Sequence, residues 1–275
     1  MTIAGATARP QLAADDQRSG VERPARQQLA SVAWFAGLSL GLAVLAFAAG
    51  APAAMLPFIL AIGPLVIALV IAWREGGGAV RTLLHSATVR PADRRWYLVL
   101  LIPVIWSLAT VGVAVGLGEP AAGLFTSLFP AVLVVPIVVL VPAFTEELAW
   151  RGFALPRLLS AMSPLQAALL LAVPWALLHA FLFVPGQFNG TLALWPMVVS
   201  IFAYSLVLTW VYIGTGGSVL LTALLHAALN GVAPVMAGVD QDDAWIIRNV
   251  LAAVIAVAVV ALGGLRRPAI AKPVS

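Results

Sequence analysis

The chain has 275 residues, of which 62% are hydrophobic and only 9% charged, with a formal net charge of +4. Its repeated apolar stretches of about 20 residues match the thickness of a bilayer and exclude an ordinary soluble globule. The absence of cysteine also excludes a disulfide framework, a thiolate nucleophile and a cysteine-ligated metal site.

The expected class is therefore all-α, a polytopic membrane helical bundle. Residues 1–28 are polar, rich in Ala, Gln and Arg, and read as a disordered cytoplasmic tail. Apolar spans follow at about 30–50, 52–73 and 96–117, an amino-terminal transmembrane region over 29–118. The first of these is long enough to cross and reads as a span, not a cleaved signal. A basic loop from Arg74 to Arg95 separates the second and third. Residues 120–157, interrupted by Pro130, Pro136 and Pro142, read as a short interfacial piece and a kinked fourth helix. Spans five to seven fall at about 163–184, 193–213 and 217–237, closing a core over 120–237, and an eighth at 245–264 precedes a tail at 265–275. Trp73, Trp96, Trp195, Trp210 and Trp245 fall near segment ends, where an interfacial aromatic belt would put them.

The connections test this count. Arg9, Arg18, Arg23 and Arg26 precede the first span, and Arg74, Arg81, Arg90, Arg94 and Arg95 lie between the second and third. Arg157 follows the fourth, and Arg266, Arg267 and Lys272 follow the eighth. In an eight-helix bundle all of these share one side, opposite Glu119, Asp240, Asp242 and Asp243, with only Arg248 against the trend. The positive-inside rule then places both termini in the cytoplasm, in the plasma (inner) membrane of a multi-pass protein. Charge confined to connections in this way reads as topology and not as nucleic-acid binding.

Against that background the run Phe144-Thr145-Glu146-Glu147-Leu148-Ala149-Trp150-Arg151 stands out. Ionisable groups at membrane depth cost about 2.5–3.5 kcal/mol each on insertion scales, so they tend to be functional. Two more polar patterns lie in later apolar segments, Trp175-x-x-x-His179 and His226-x-x-x-Asn230. Neighbours on a helix point about 100° apart, so Glu146 and Glu147 cannot face one site. The i,i+4 spacing pairs Glu147 with Arg151 and leaves Glu146 for the bundle interior. His226 and Asn230 share a helix face, and His179 comes from a third helix. These groups meet only if the fourth, fifth and seventh helices pack around a cavity.

A carboxylate and an imidazole can activate water and return the proton to a leaving amine. A second imidazole and a carboxamide can donate to an oxyanion, at about 3–4 kcal/mol per donor. Together these are the parts for peptide hydrolysis without a covalent nucleophile. The same residues allow a metal reading, with zinc held by Glu146, His179 and His226 and water in the fourth position. It ranks second because Asn230 is a weak zinc donor and the contiguous H-E-x-x-H is absent.

Glu-Glu-x-x-x-Arg, aromatic-x-x-x-His and His-x-x-x-Asn, in this order on successive apolar segments, resemble the CPBP (Abi) family. That family includes type II CAAX prenyl endopeptidases and bacteriocin-processing or immunity proteins. The resemblance covers about residues 125–235. It implies that Glu146 and His179 activate water, that His226 and Asn230 hold the oxyanion, and that Glu147 and Arg151 support the site. Trp175 stands where the family more often has Phe, which makes it a candidate for the substrate cavity. The family is often classed as metalloprotease, and a metal-free glutamate mechanism is also proposed for it.

The expected function is thus an intramembrane endopeptidase acting on a membrane-associated or lipidated substrate, with its cavity open toward the cytoplasmic leaflet. Its partners would be membrane lipid and that substrate, without nucleic acid. No cofactor is required in this mechanism, with zinc as the alternative. A second reading is a non-catalytic membrane scaffold or bacteriocin self-immunity protein of the same fold. A proton-coupled transporter is disfavoured because no inverted repeat of broken helices is visible. Blander roles compete at single residues. Glu147 with Arg151 could anchor a helix end, and Tyr204, Ser205 and Thr209 read as helix-packing groups. Gly214, Gly216 and Gly217 read as a tight turn, and His85 is assigned no role.

Overall fold

The computed structural model describes residues 24–118, 139–231 and 241–265. Every regular element among them is helical, and five helices are long and apolar enough to cross a membrane. In chain order these elements are α1 (Ala25–Ala48), α2 (Leu56–Glu75), the short α3 (Gly77–His85), and a 3-10 segment (Arg94–Leu101) running into α4 (Ile102–Gly116). Next come α5 over 139–147, a π-helical turn (Leu148–Ala154) and α6 (Leu155–Leu159). The chain continues through α7 (Pro164–Ala180), α8 (Leu194–Gly214), α9 (Val219–Gly231) and α10 (Gln241–Ala261). Among the described residues this is the all-α polytopic bundle expected.

Local chemistry explains where these elements begin. Pro24, at φ −53° and ψ 140°, is the N-cap of α1, and its carbonyl accepts from Gln27 N–H at 2.8 Å. Helix therefore starts at Ala25, inside the stretch 1–28 read as disordered tail, because Ala and Gln propagate a helix once proline has set its entry. Residues 1–23 lie outside the described part. α7 opens on a capping box in which Ser163 accepts from Gln166 N–H and the Gln166 side chain accepts from Ser163 N–H. The basic loop is not wholly irregular either, since α3 occupies its first half. α10 starts before residue 245, taking Asp242 and Asp243 into its first turn.

The fourth span is irregular for a different proline than expected. Pro130 and Pro136 lie outside the described residues, and α5 runs without a break past Pro142. The disturbance comes at Pro156, which has no N–H to give to Gly152 and whose ring crowds that carbonyl. The ladder instead widens by one residue, and Leu155 N–H bonds to Trp150 O. Such π turns are frequent at functional sites.

Contacts between elements sort the bundle into two ends. At one, Glu75 at the end of α2 accepts from Ser31 of α1 and from Arg157 of α6. At the same end Ser218 donates to Val89 O at 2.6 Å and Val219 N–H to Ser86 O at 3.1 Å, which seats the start of α9 on the basic loop. At the other, Trp245 Nε1–H donates to Ala193 O at 3.0 Å and joins the starts of α10 and α8. Arg26, Arg74, Arg81, Arg90, Arg94, Arg95 and Arg157 all belong to the first end. Glu119 and Asp240, and the terminal Arg9, Arg18, Arg23, Arg266, Arg267 and Lys272, fall outside the described residues.

The outer surface carries Trp34, Leu45, Val66, Leu108, Leu177 and Val257, all exposed, as a lipid-facing wall requires. Trp73 and Trp195 are exposed at opposite ends, in keeping with a belt, whereas Trp96 and Trp210 pack on each other at 5.1 Å. Ser205 donates to Ala168 O at 2.7 Å and ties α8 to α7. Beyond α8 the chain turns through Gly216 (φ 72°) and Gly217 (φ 98°), conformations that favour glycine. Gly214 is needed for space, because a Cβ there would sit 2.0 Å from the Trp96 ring. We expect Gly214→Ala to destabilise the bundle by about 1–3 kcal/mol, read as a lower unfolding temperature in detergent. Gly112→Ala, with open space around it, is the control; equal melting of the two variants would contradict this packing.

Candidate active site

Glu146 and Glu147 close α5 immediately before the π turn, and their side chains diverge. Glu147 is fully buried, and its Oε1 accepts from Arg151 Nη1 at 2.8 Å and from His226 Nδ1 at 2.9 Å. The pair with Arg151 is the i,i+4 contact read from the spacing. Glu146 faces the other way, into a cavity of about 460 Å³ whose lining includes His179, His226, Asn230, Tyr204 and Arg248. The structure thus brings Glu146, His179, His226 and Asn230 to one space, from α5, α7 and α9.

Trp175 organises this arrangement from behind. It is 1% exposed and stands behind the residues that line the cavity. Its indole is packed inward against Trp150 at 6.4 Å because the buried face of α7 carries it there. From that position Nε1–H donates to Glu146 Oε2 at 2.8 Å. The ring stands edge-on to His179 at 5.8 Å and to His226 at 5.5 Å, and the Arg151 guanidinium lies 4.3 Å from its centre. A cation over the ring face polarises the indole and strengthens the N–H that holds Glu146.

Hydrogen bonding also fixes proton positions. His179 Nδ1 lies 3.0 Å from Trp175 O, one turn back on α7. A carbonyl only accepts, so Nδ1 carries the proton and the neutral ring presents a bare Nε2. That nitrogen is 4.0 Å from Glu146 Oε2. His226 Nδ1 faces a carboxylate and is likewise the protonated nitrogen. Glu147 Oε2 and Arg151 Nε and Nη2 are buried without a hydrogen-bond partner in the described structure. All hydrogen bonding of this ion pair among the described residues therefore runs through Glu147 Oε1.

The zinc alternative requires Glu146, His179 and His226 to gather as one ligand set. Among the described residues no three His, Asp or Glu side chains do so, and Glu146 Oε2 is already turned to the indole N–H. The donor geometry therefore does not fit a zinc site.

Sequence reasoning missed two groups. Arg157, its guanidinium stacked 3.8 Å from the Phe153 ring and donating to Phe153 O, locks the π turn against Glu75. Arg248, noted only as an exception to the charge trend, is 7% exposed and lines the cavity. The insertion-cost argument applied to the glutamates would have found it, because it too stands in an apolar run. Trp245, expected in the aromatic belt, also lines the cavity, while His85 lies at the end of α3 and outside that lining.

The cavity occupies the end of the bundle away from the basic segments. Ala54, Pro57 and Phe58 at the α1–α2 connection, Phe188 between α7 and α8, and Met197 and Trp245 at the starts of α8 and α10 help to line it. The chain enters α1 at the basic end, and α10 finishes there beside Trp210. Cavity and basic segments thus lie at opposite ends of the described bundle.

Fold and site together define a polytopic helical membrane protein with a carboxylate and two imidazoles gathered in a cavity between its helices. Residues 126–232 match the family model described as type II CAAX prenyl endopeptidase Rce1-like. Over this segment the match supports a likeness to the CAAX protease (CPBP) family, a family of membrane proteases. No curated protein matches the chain.

The buried contacts predict an asymmetric result. Glu147→Ala leaves Arg151 without a counter-ion and should cost about 3–5 kcal/mol, seen as loss of monodisperse protein in detergent. Replacing both ions, Glu147→Leu with Arg151→Met, should recover much of that loss. A stable Glu147→Ala single variant would contradict the coupling.

Proposed function

We propose that the chain is an intramembrane endopeptidase that hydrolyses a peptide bond of a membrane-associated substrate with water activated by Glu146 and His179. The observation that carries this reading is the 4.0 Å separation between Glu146 Oε2 and the bare His179 Nε2. A water about 2.8 Å from both acceptors subtends about 90° between them, near the angle of its own O–H bonds. Both its protons then point at bases and its lone pairs face the cavity. As the oxygen attacks the carbonyl carbon, one proton passes to the Glu146–His179 pair, which returns it to the departing amine.

His226 and Asn230 line the same cavity and serve as oxyanion donors. His226 already donates from Nδ1 to Glu147, so a second donation from Nε2 makes it an imidazolium. In that state Arg151 and His226 balance Glu146 and Glu147, two charges against two, and the cluster is neutral in a medium that penalises net charge. No cofactor enters this scheme. The partners it implies are membrane lipid and a membrane-associated or lipidated peptide, not a nucleic acid.

Glu146→Gln and His179→Ala should each abolish cleavage of a membrane peptide while the protein still folds. Asn230→Ala should lower turnover by about 10²–10³-fold. Full activity should survive a strong chelator with no metal bound, and loss of activity restored by zinc would overturn the metal-free mechanism. A cellular phenotype unchanged in both Glu146→Gln and His179→Ala would assign the function to a scaffold.

The same reading settles on a side of the membrane. The basic end is cytoplasmic by the positive-inside rule, so the cavity receives substrate from the extracytoplasmic side of the inner membrane. The chain has no cysteine, which makes single-cysteine labelling clean. A cysteine at Phe188, an exposed lining residue, should react in intact cells with a membrane-impermeant maleimide. One at exposed Arg81 should react only after permeabilisation. The reverse pattern would sink this orientation.

A further inference from the structure

Arg248 is the buried cation for which the scheme above has no use. It lies on α10, outside the matched segment 126–232, and lines the same cavity as Glu146 and His179. Its partners among the described residues are all neutral. Nη2 donates to Tyr204 Oη at 3.3 Å and to Leu229 O at 3.2 Å, and the guanidinium lies 5.0 Å from the Trp106 ring centre and 5.7 Å from that of Trp245. Nε is buried without a hydrogen-bond partner. The other buried arginines are treated differently, Arg151 by Glu147 and Arg157 by Glu75. Among the described residues no carboxylate pairs with Arg248.

A charge held at 7% exposure without a counter-ion among the described residues is costly, and aromatic faces with two neutral acceptors offset only part of that cost. Its backbone is pinned as well, because Trp106 Nε1–H donates to Arg248 O at 2.9 Å. The side chain is therefore presented to the cavity in a fixed pose. Depth narrows the choice of anion. Arg248 is the eighth residue of α10, about 10 Å below the start of the helix at 1.5 Å per residue, whereas a lipid phosphate remains at the membrane interface. A cavity of about 460 Å³ is in the size range of small-ligand sites, about 300–1,000 Å³. It admits a short extended peptide and excludes a whole helix.

We infer that Arg248 is a carboxylate-binding group of this cavity, which engages an acidic group on the peptide substrate and so fixes which bond meets Glu146 and His179. The carboxylate comes either from the substrate's chain end or from an Asp or Glu side chain. The inference rests on the proteolytic reading for its consequence, but the binding it asserts can be measured without catalysis.

The test uses full-length Glu146→Gln protein in detergent and three forms of one acylated apolar octapeptide. One has a free carboxy terminus, one is amidated, and one is amidated with an internal Asp. At least one acidic form should bind roughly ten- to a hundredfold more tightly than the neutral amide, the range of hydrogen bonds to charged groups. Which acidic form wins identifies the source of the carboxylate. The preference should collapse in Arg248→Gln and persist, weakened, in Arg248→Lys. Equal binding of all three peptides to the parent protein overturns the inference, even if Arg248→Gln fails to fold. So does a preference that Arg248→Gln retains. Dependence of binding on phosphatidylglycerol rather than on the peptide carboxylate, in vesicles of phosphatidylglycerol compared with phosphatidylcholine, also overturns it. Cleavage by the unsubstituted protein is scored separately, so loss of the proteolytic reading is distinguishable from loss of the subsite.

Discussion

The cluster depends on one carboxylate oxygen. Glu147 Oε1 accepts from both Arg151 and His226, and the neighbouring polar atoms of the ion pair have no other partner. A charge buried between membrane helices is costly unless it is paired. The contact therefore fixes α5 to α9 at the level where both carry functional groups. Its influence extends further through Arg151, which lies over Trp175, the residue that holds Glu146 toward the cavity. An ion pair with no part in the proposed chemistry thus orients the carboxylate that has one.

The π turn and Arg157 set the frame for this contact. Pro156 forces the backbone to widen over Leu148–Ala154, and Arg157 then ties the widened turn to Glu75 and, through it, to Ser31. Three parts of the chain that are distant in sequence meet at the basic end of the bundle. The cavity forms at the other end, where apolar and aromatic residues of the helix connections help to line it. Among the described residues one end is held by ion pairs and the other contains the cavity.

This polarity bears on what the protein acts upon. Arginines on the connections and the cavity lie at opposite ends, so a membrane orientation chosen by charge places the cavity away from the cytoplasm. The same placement gives Arg248 its interest, since it brings a cation deep into the space that would receive substrate.

Much of this protein was legible in its sequence. The helical membrane class followed from apolar runs, since only closed backbone hydrogen bonding survives in lipid. The division of labour between Glu146 and Glu147, and the pairing of the latter with Arg151, followed from helical spacing. Other features were not readable because they depend on neighbours remote in sequence. Spacing placed Trp175 beside the histidines but could not say on which side of the cavity wall its ring would lie. His226 was read as an oxyanion donor, and spacing alone could not reveal that its Nδ1 is held by Glu147 across 79 residues. Arg248 looked like an exception to a charge count and became a cavity residue once α10 packed beside α8 and α4. The direction of the cavity was hidden for the same reason. Hydrophobic periodicity and charge report how each segment meets lipid and water, whereas which ends converge, and which polar groups find partners there, is fixed only when the helices pack.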